Sequence, residues 1–105
     1  MVVKGLDPIF AQGSAHGRSA IAVVRITGNL PSSLFHELDI KKNERSFFVR
    51  NINFGAFADN CLVLNFPAPN SYTGENMLEI HSHGNQLIVS ELFGWLERLG
   101  VREAE

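Results

Sequence analysis

Apolar and polar positions alternate most clearly from Ser19 to Thr27. Ala20, Ala22, Val24 and Ile26 fall on one face of an extended chain there, with Ile21, Val23 and Arg25 on the other. The β-branched residues favour a strand, and Gly28-Asn29 end it. Pro8 to Gln12 predicts a short first strand closed by Gly13, followed by a loop of small residues from Gly13 to Ser19. Pro31 suits the first turn of a short helix running to about Leu38, and the polar stretch Asp39 to Arg45 predicts a loop. A strand is expected over Ser46 to Phe54, with Phe48, Ile52 and Phe54 on one face and Phe47 and Val49 on the other. A turn over Gly55 to Asn60 leads to the apolar run Cys61 to Phe66, which reads as a buried strand. Neither Pro67 nor Pro69 can donate to a ladder, so the strand ends there and Pro67 to Asn76 reads as a rigid loop.

Met77 to Ser82 alternates again, with Leu78 and Ile80 sharing a face. Asn85 to Leu99 predicts the longest helix, because Ile88, Leu92, Trp95, Leu96 and Leu99 recur at spacings of three and four. Gly100 stands where a helix-ending glycine belongs. Gly94 costs that helix ~1 kcal/mol relative to alanine, which predicts a close backbone contact there. Val101 to Glu105 begins a further element and stops without a turn signal, which reads as truncation. Together these elements predict a mixed α/β (α+β) domain of about five strands and two helices. The order is not a regular βαβ series, which argues against a doubly wound fold.

Composition narrows the class. At 105 residues, 45% hydrophobic and 19% charged, the chain can build one core, and it is read as a single domain over 1–105. A net charge of -2 disfavours nucleic-acid binding by this piece alone. A lone Cys61 forms no intrachain disulfide and suits a reducing, cytoplasmic setting. No apolar run approaches ~20 residues, so no membrane span is expected, and the N-terminal residues do not read as a signal peptide.

Four residues are candidate chemistry: Arg25, Glu79, His81 and His83. Glu79, His81 and His83 occupy alternate positions on a predicted strand, so a carboxylate and two imidazoles can share a face, a pattern compatible with zinc. Equally, His83 belongs to the turn before the helix and His81 is solvated. Arg25 interrupts an apolar strand, and so does Glu79 between Leu78 and Ile80. Each needs a partner if buried. The two are either a structural ion pair or two ends of a polar ligand site, and spacing alone leaves both open. There is no Walker A loop, no G-x-G-x-x-G and no nucleophile elbow.

The run Phe66-Pro67-Ala68-Pro69-Asn70-Ser71-Tyr72-Thr73-Gly74-Glu75-Asn76-Met77-Leu78-Glu79-Ile80 resembles the signature of the N-terminal domain of the MnmE/TrmE family of tRNA-modification GTPases. Ile21 to Gly28 resembles that family's second strand, and His83-Gly84 its histidine-glycine turn. The resemblance implies a fold similar to the folate-binding domain of glycine-cleavage aminomethyltransferases. It also implies a module that binds a tetrahydrofolate, in the 5-formyl or 5,10-methylene form, and makes the protein a homodimer.

In the parent protein the same resemblance implies a helical domain and a GTP-hydrolysing domain using potassium and magnesium. An FAD-dependent partner and tRNA complete the system, which modifies C5 of the wobble uridine. The implied folate contacts are Arg25 and Glu79, with a further family lysine beyond Glu105; no catalytic or metal-binding residue is implied within this fragment. A pterin carries a ring N–H beside an amino group, a pair that the Glu79 carboxylate can accept. Arg25 can donate to a carbonyl or formyl oxygen, or to the glutamate tail. The rival readings are a metal-dependent enzyme domain built on Glu79, His81 and His83, and a purely structural interaction domain.

Overall fold

Seven residues from Ile21 to Thr27 and seven from Met77 to His83 pair along their whole lengths, and the rest of the sheet is built outward from them. A computed structural model describes residues 7–13, 20–71 and 74–104. The expected small-residue loop over Ser14 to Ser19, and Tyr72 and Thr73 of the proline-containing loop, lie outside these described residues.

The described strands are β1 (Ile9–Gln12), β2 (Ile21–Thr27), β3 (Ser46–Asn53), β4 (Ala58–Phe66), β5 (Met77–His83) and β6 (Arg102–Glu103), with helices α1 (Ser32–Leu38) and α2 (Gln86–Arg98). They form one sheet in the order β3-β4-β5-β2-β1-β6. Every neighbouring pair is antiparallel except β1 and β6, so the sheet is mixed. The α+β class expected from sequence stands. The sixth strand is new: Arg102 and Glu103 run parallel to Ile9 and Phe10, a two-residue pairing that carries no period of its own.

Both helices cover the same face. Val24 and Ile26 of β2, Ile80 and Leu78 of β5, and Cys61 and Val63 of β4 pack with Leu34, Phe35 and Leu38 of α1 and with Leu92, Trp95 and Leu96 of α2. Trp95 meets Phe54 edge to face at 5.7 Å between centroids, and Phe10 meets Phe93 at 4.7 Å. The 3.6-residue period of α2 thus turns its leucines onto the sheet while Leu87 remains 62% exposed.

The ends of α2 follow from local chemistry. Asn85 accepts the Leu87 N–H at 2.8 Å as N-cap. At the other end Gly100 takes φ 96°, and Gly100 N and Val101 N donate to Glu97 O and Leu96 O, closing the helix with a Schellman pair. Helix α1 starts one position later than expected, with Pro31 as its N-cap.

Two expectations need correction. The turn after β3 is shorter than Gly55 to Asn60, because Phe54 N bonds Phe57 O at 2.8 Å and β4 begins at Ala58. Gly94 does not mark a close backbone approach either: a Cβ there would meet only the guanidinium tip of Arg98, at 3.4 Å.

Buried Asn65, in the middle of the apolar run of β4, holds the loop before β3. Its Nδ2 donates to the carbonyls of Lys41, Lys42 and Glu44 at 3.1, 3.1 and 2.8 Å. Neighbouring Arg50 donates to Leu38 O and Asp39 O, satisfying carbonyls left over at the end of α1.

Candidate functional site

Alternation places Arg25 and Glu79 on the face of the sheet opposite both helices, and the register of β2 on β5 sets them directly across from each other. Arg25 Nε donates to Glu79 Oε2 at 2.9 Å. Next along the same face of β5, His81 Nε2 lies 2.9 Å from the other carboxylate oxygen, Oε1. One carboxylate is therefore held from both sides. Its side chain is only 10% exposed, against 52% for Arg25 and 26% for His81.

Burial alone would raise the Glu79 carboxyl above its ordinary value of 4.5. Hydrogen bonds from His81 and Arg25, with their charges, outweigh it and hold the group below that value. Glu79 is thus an anion at neutral pH, so the His81 nitrogen facing it must carry the proton.

His83, the third member of the alternating set, takes a different partner. Asp59, buried at the start of β4, accepts the His83 backbone N–H at 2.9 Å on Oδ2 and meets the ring Nδ1 at 2.7 Å with Oδ1. Burial works against the Asp59 charge, but the His83 contacts prevail and its carboxyl falls below the ordinary 3.8. Cys61 Sγ lies 3.8 Å from the same carboxylate. Burial first, and then the Asp59 charge, push the thiol up to about 12, so it is no nucleophile at neutral pH.

The three residues of the metal reading are divided between two pairs. Glu79 and His81 form one pair and His83 and Asp59 another, and among the described residues no three His, Cys, Asp or Glu side chains are arranged to hold a metal ion. Sequence reasoning does not find Asp59, because its partner lies on another strand. The signal available is its place in the buried alternation Asp59, Cys61, Val63, Asn65. His36 is exposed on α1, and His16 lies outside the described residues.

Around the Arg25–Glu79–His81 set the face is apolar and uncovered by either helix. Ile21, Val49 and Phe47 are 55%, 66% and 74% exposed. A shallow depression of about 290 Å³ on this face is lined by Ile21, Val49, Asn60, Leu62, His81, Ser82 and His83; it touches the set through His81.

The two depressed carboxyls set an acid limit. A group with a lowered folded pKa contributes stability above its unfolded value and loses it as pH falls through the folded one. Unfolding free energy should therefore hold from pH 7 to about 4.5 and drop below it, as both carboxylates are protonated. Urea unfolding between pH 7 and 3 checks this. Asp59→Asn and Glu79→Gln should each flatten the acid limb; an unchanged limb in both would contradict the pairing.

Among the described residues no helix is long and apolar enough to cross a membrane. The profile of the family described as GTP-binding protein TrmE N-terminus matches residues 8–105. Relatives include a protein named tRNA modification GTPase MnmE from Caulobacter vibrioides, 43% identical over 94% of this chain and 23% of its own length. Proteins of the same name from Phenylobacterium zucineum and Agrobacterium fabrum are 40% and 37% identical over 94% and 90% of this chain, and over 23% and 22% of their own lengths. The chain thus spans less than a quarter of the curated relatives it matches.

Proposed function

The chain belongs to the family of TrmE N-terminal domains, and from that premise we propose that it is the tetrahydrofolate-binding and dimerising module of a tRNA-modification GTPase. The observation that carries the ligand reading is the buried Glu79 carboxylate, held between Arg25 and His81 on the uncovered face. A carboxylate has about four lone-pair sites. Arg25 and His81 use one on each oxygen, which leaves capacity for the ring N–H and amino group of a pterin. Arg25 then faces the ligand's carbonyl or formyl oxygen, or its glutamate tail. The 5-formyl and 5,10-methylene forms share the pterin edge, so Glu79 accepts either.

The exposed apolar residues of the same face support a homodimer, because a second copy would cover Ile21, Phe47 and Val49. GTP hydrolysis with potassium and magnesium, tRNA, the FAD-dependent partner and action at C5 of the wobble uridine belong in this reading to the parent protein. Within it, the chain supplies folate and the dimer contact in a cytoplasmic setting.

Calorimetric titration of 5-formyltetrahydrofolate into the protein tests the ligand reading, with saturable binding expected. No heat and no binding at millimolar folate would overturn it in favour of a structural ion pair. Sedimentation across micromolar concentrations tests the dimer; a persistent monomer would count against it.

A further inference from the structure

Arg25 reaches Glu79 from β2 and His81 from β5, the strand that carries Glu79 itself, and the family resemblance assigns His81 no role. His81 is the second contact, and its geometry fixes more than a distance. Its Nε2 meets Oε1 of an ionised carboxylate at 2.9 Å, which makes Nε2–H the donor. The ring also borders the shallow depression with Ile21, Val49, Asn60 and Leu62. A carboxylate tethered through one oxygen alone turns about its last torsion, whereas Arg25 on Oε2 and His81 on Oε1 together fix its plane.

We propose that His81 is a positioning residue of this site: its Nε2–H locks the Glu79 carboxylate in the plane that receives the ligand's paired N–H donors. The role rests on the folate reading and adds to it a requirement at position 81. A side chain there must donate to Glu79. Glutamine meets that requirement through its amide; alanine does not.

The test compares the full chain with His81→Ala and His81→Gln by calorimetry with 5-formyltetrahydrofolate, beside nitrogen-15 NMR of the His81 ring. His81→Ala should weaken binding roughly 10- to 100-fold, the worth of one hydrogen bond to a charged group. His81→Gln should recover most of it. In the free protein the ring should carry a proton on Nε2, and its nitrogen resonances should move when folate binds. Wild-type binding with an unchanged His81→Ala, a glutamine variant no better than alanine, or a neutral ring protonated on Nδ1 would each overturn the role and leave the folate reading standing. A wild type that binds no folate would overturn both, even with Nε2 protonated.

Discussion

Glu79→Ala should lower affinity for 5-formyltetrahydrofolate by at least about a hundredfold, since removing one partner of a buried, hydrogen-bonded charge contact costs ~2–5 kcal/mol. The fold should survive. Arg25 is half exposed, so loss of the carboxylate leaves its guanidinium accessible to water, and the stability cost stays below that of truncating a core leucine. The two readouts together discriminate. A ligand site loses binding with little change in urea midpoint, whereas a purely structural pair loses stability and has no binding to lose. Glu79→Gln separates charge from shape, because its amide keeps one acceptor and turns the other oxygen into a donor facing the ligand's own donors.

Leu96→Ala should remove about 2–5 kcal/mol of stability, the usual range for a leucine truncated in a packed core. Leu96 is fully buried between α2 and the sheet, beside Trp95 and Leu92. Against a total of roughly 5–15 kcal/mol for a domain this size, that is a large share. The melting temperature should fall by about 10 °C or more, at ~4–8 °C per kcal/mol. Leu87→Ala, in the same helix but 62% exposed, should change stability by no more than ~0.5 kcal/mol. Equal effects at the two positions would show that α2 does not lie on the sheet as described.

The contrast between Leu87 and Leu96 is legible in the sequence, because a 3.6-residue period assigns each leucine to a face by spacing alone. The same holds for β2, where alternation separates Ala22, Val24 and Ile26 from Arg25. Local signals also place Asn85 and Gly100 at the ends of α2. Pairing is not legible. Arg25 and Glu79 stand 54 residues apart, and only the β2–β5 register makes them neighbours. Alternation puts Glu79, His81 and His83 on one face, but it cannot show that β4 brings Asp59 to His83 and so divides the set. Strand β6 escapes for a related reason: two residues become a strand only through the β1 edge they join. Asn65 reads as part of an apolar strand, and its polar side chain has a purpose only once the Lys41–Glu44 loop lies against it.

In the function proposed above, folate binds the face of the sheet opposite the helices, at Arg25 and Glu79. Chemical-shift mapping of the isotope-labelled protein during titration with 5-formyltetrahydrofolate tests it most directly. The Arg25 side-chain Nε–H, the Glu79 carboxyl carbon and the His81 ring should shift in step and saturate, while Leu34, Leu92 and Leu96 in the core stay still. Saturating shifts confined to the helical face, or none anywhere, would contradict it.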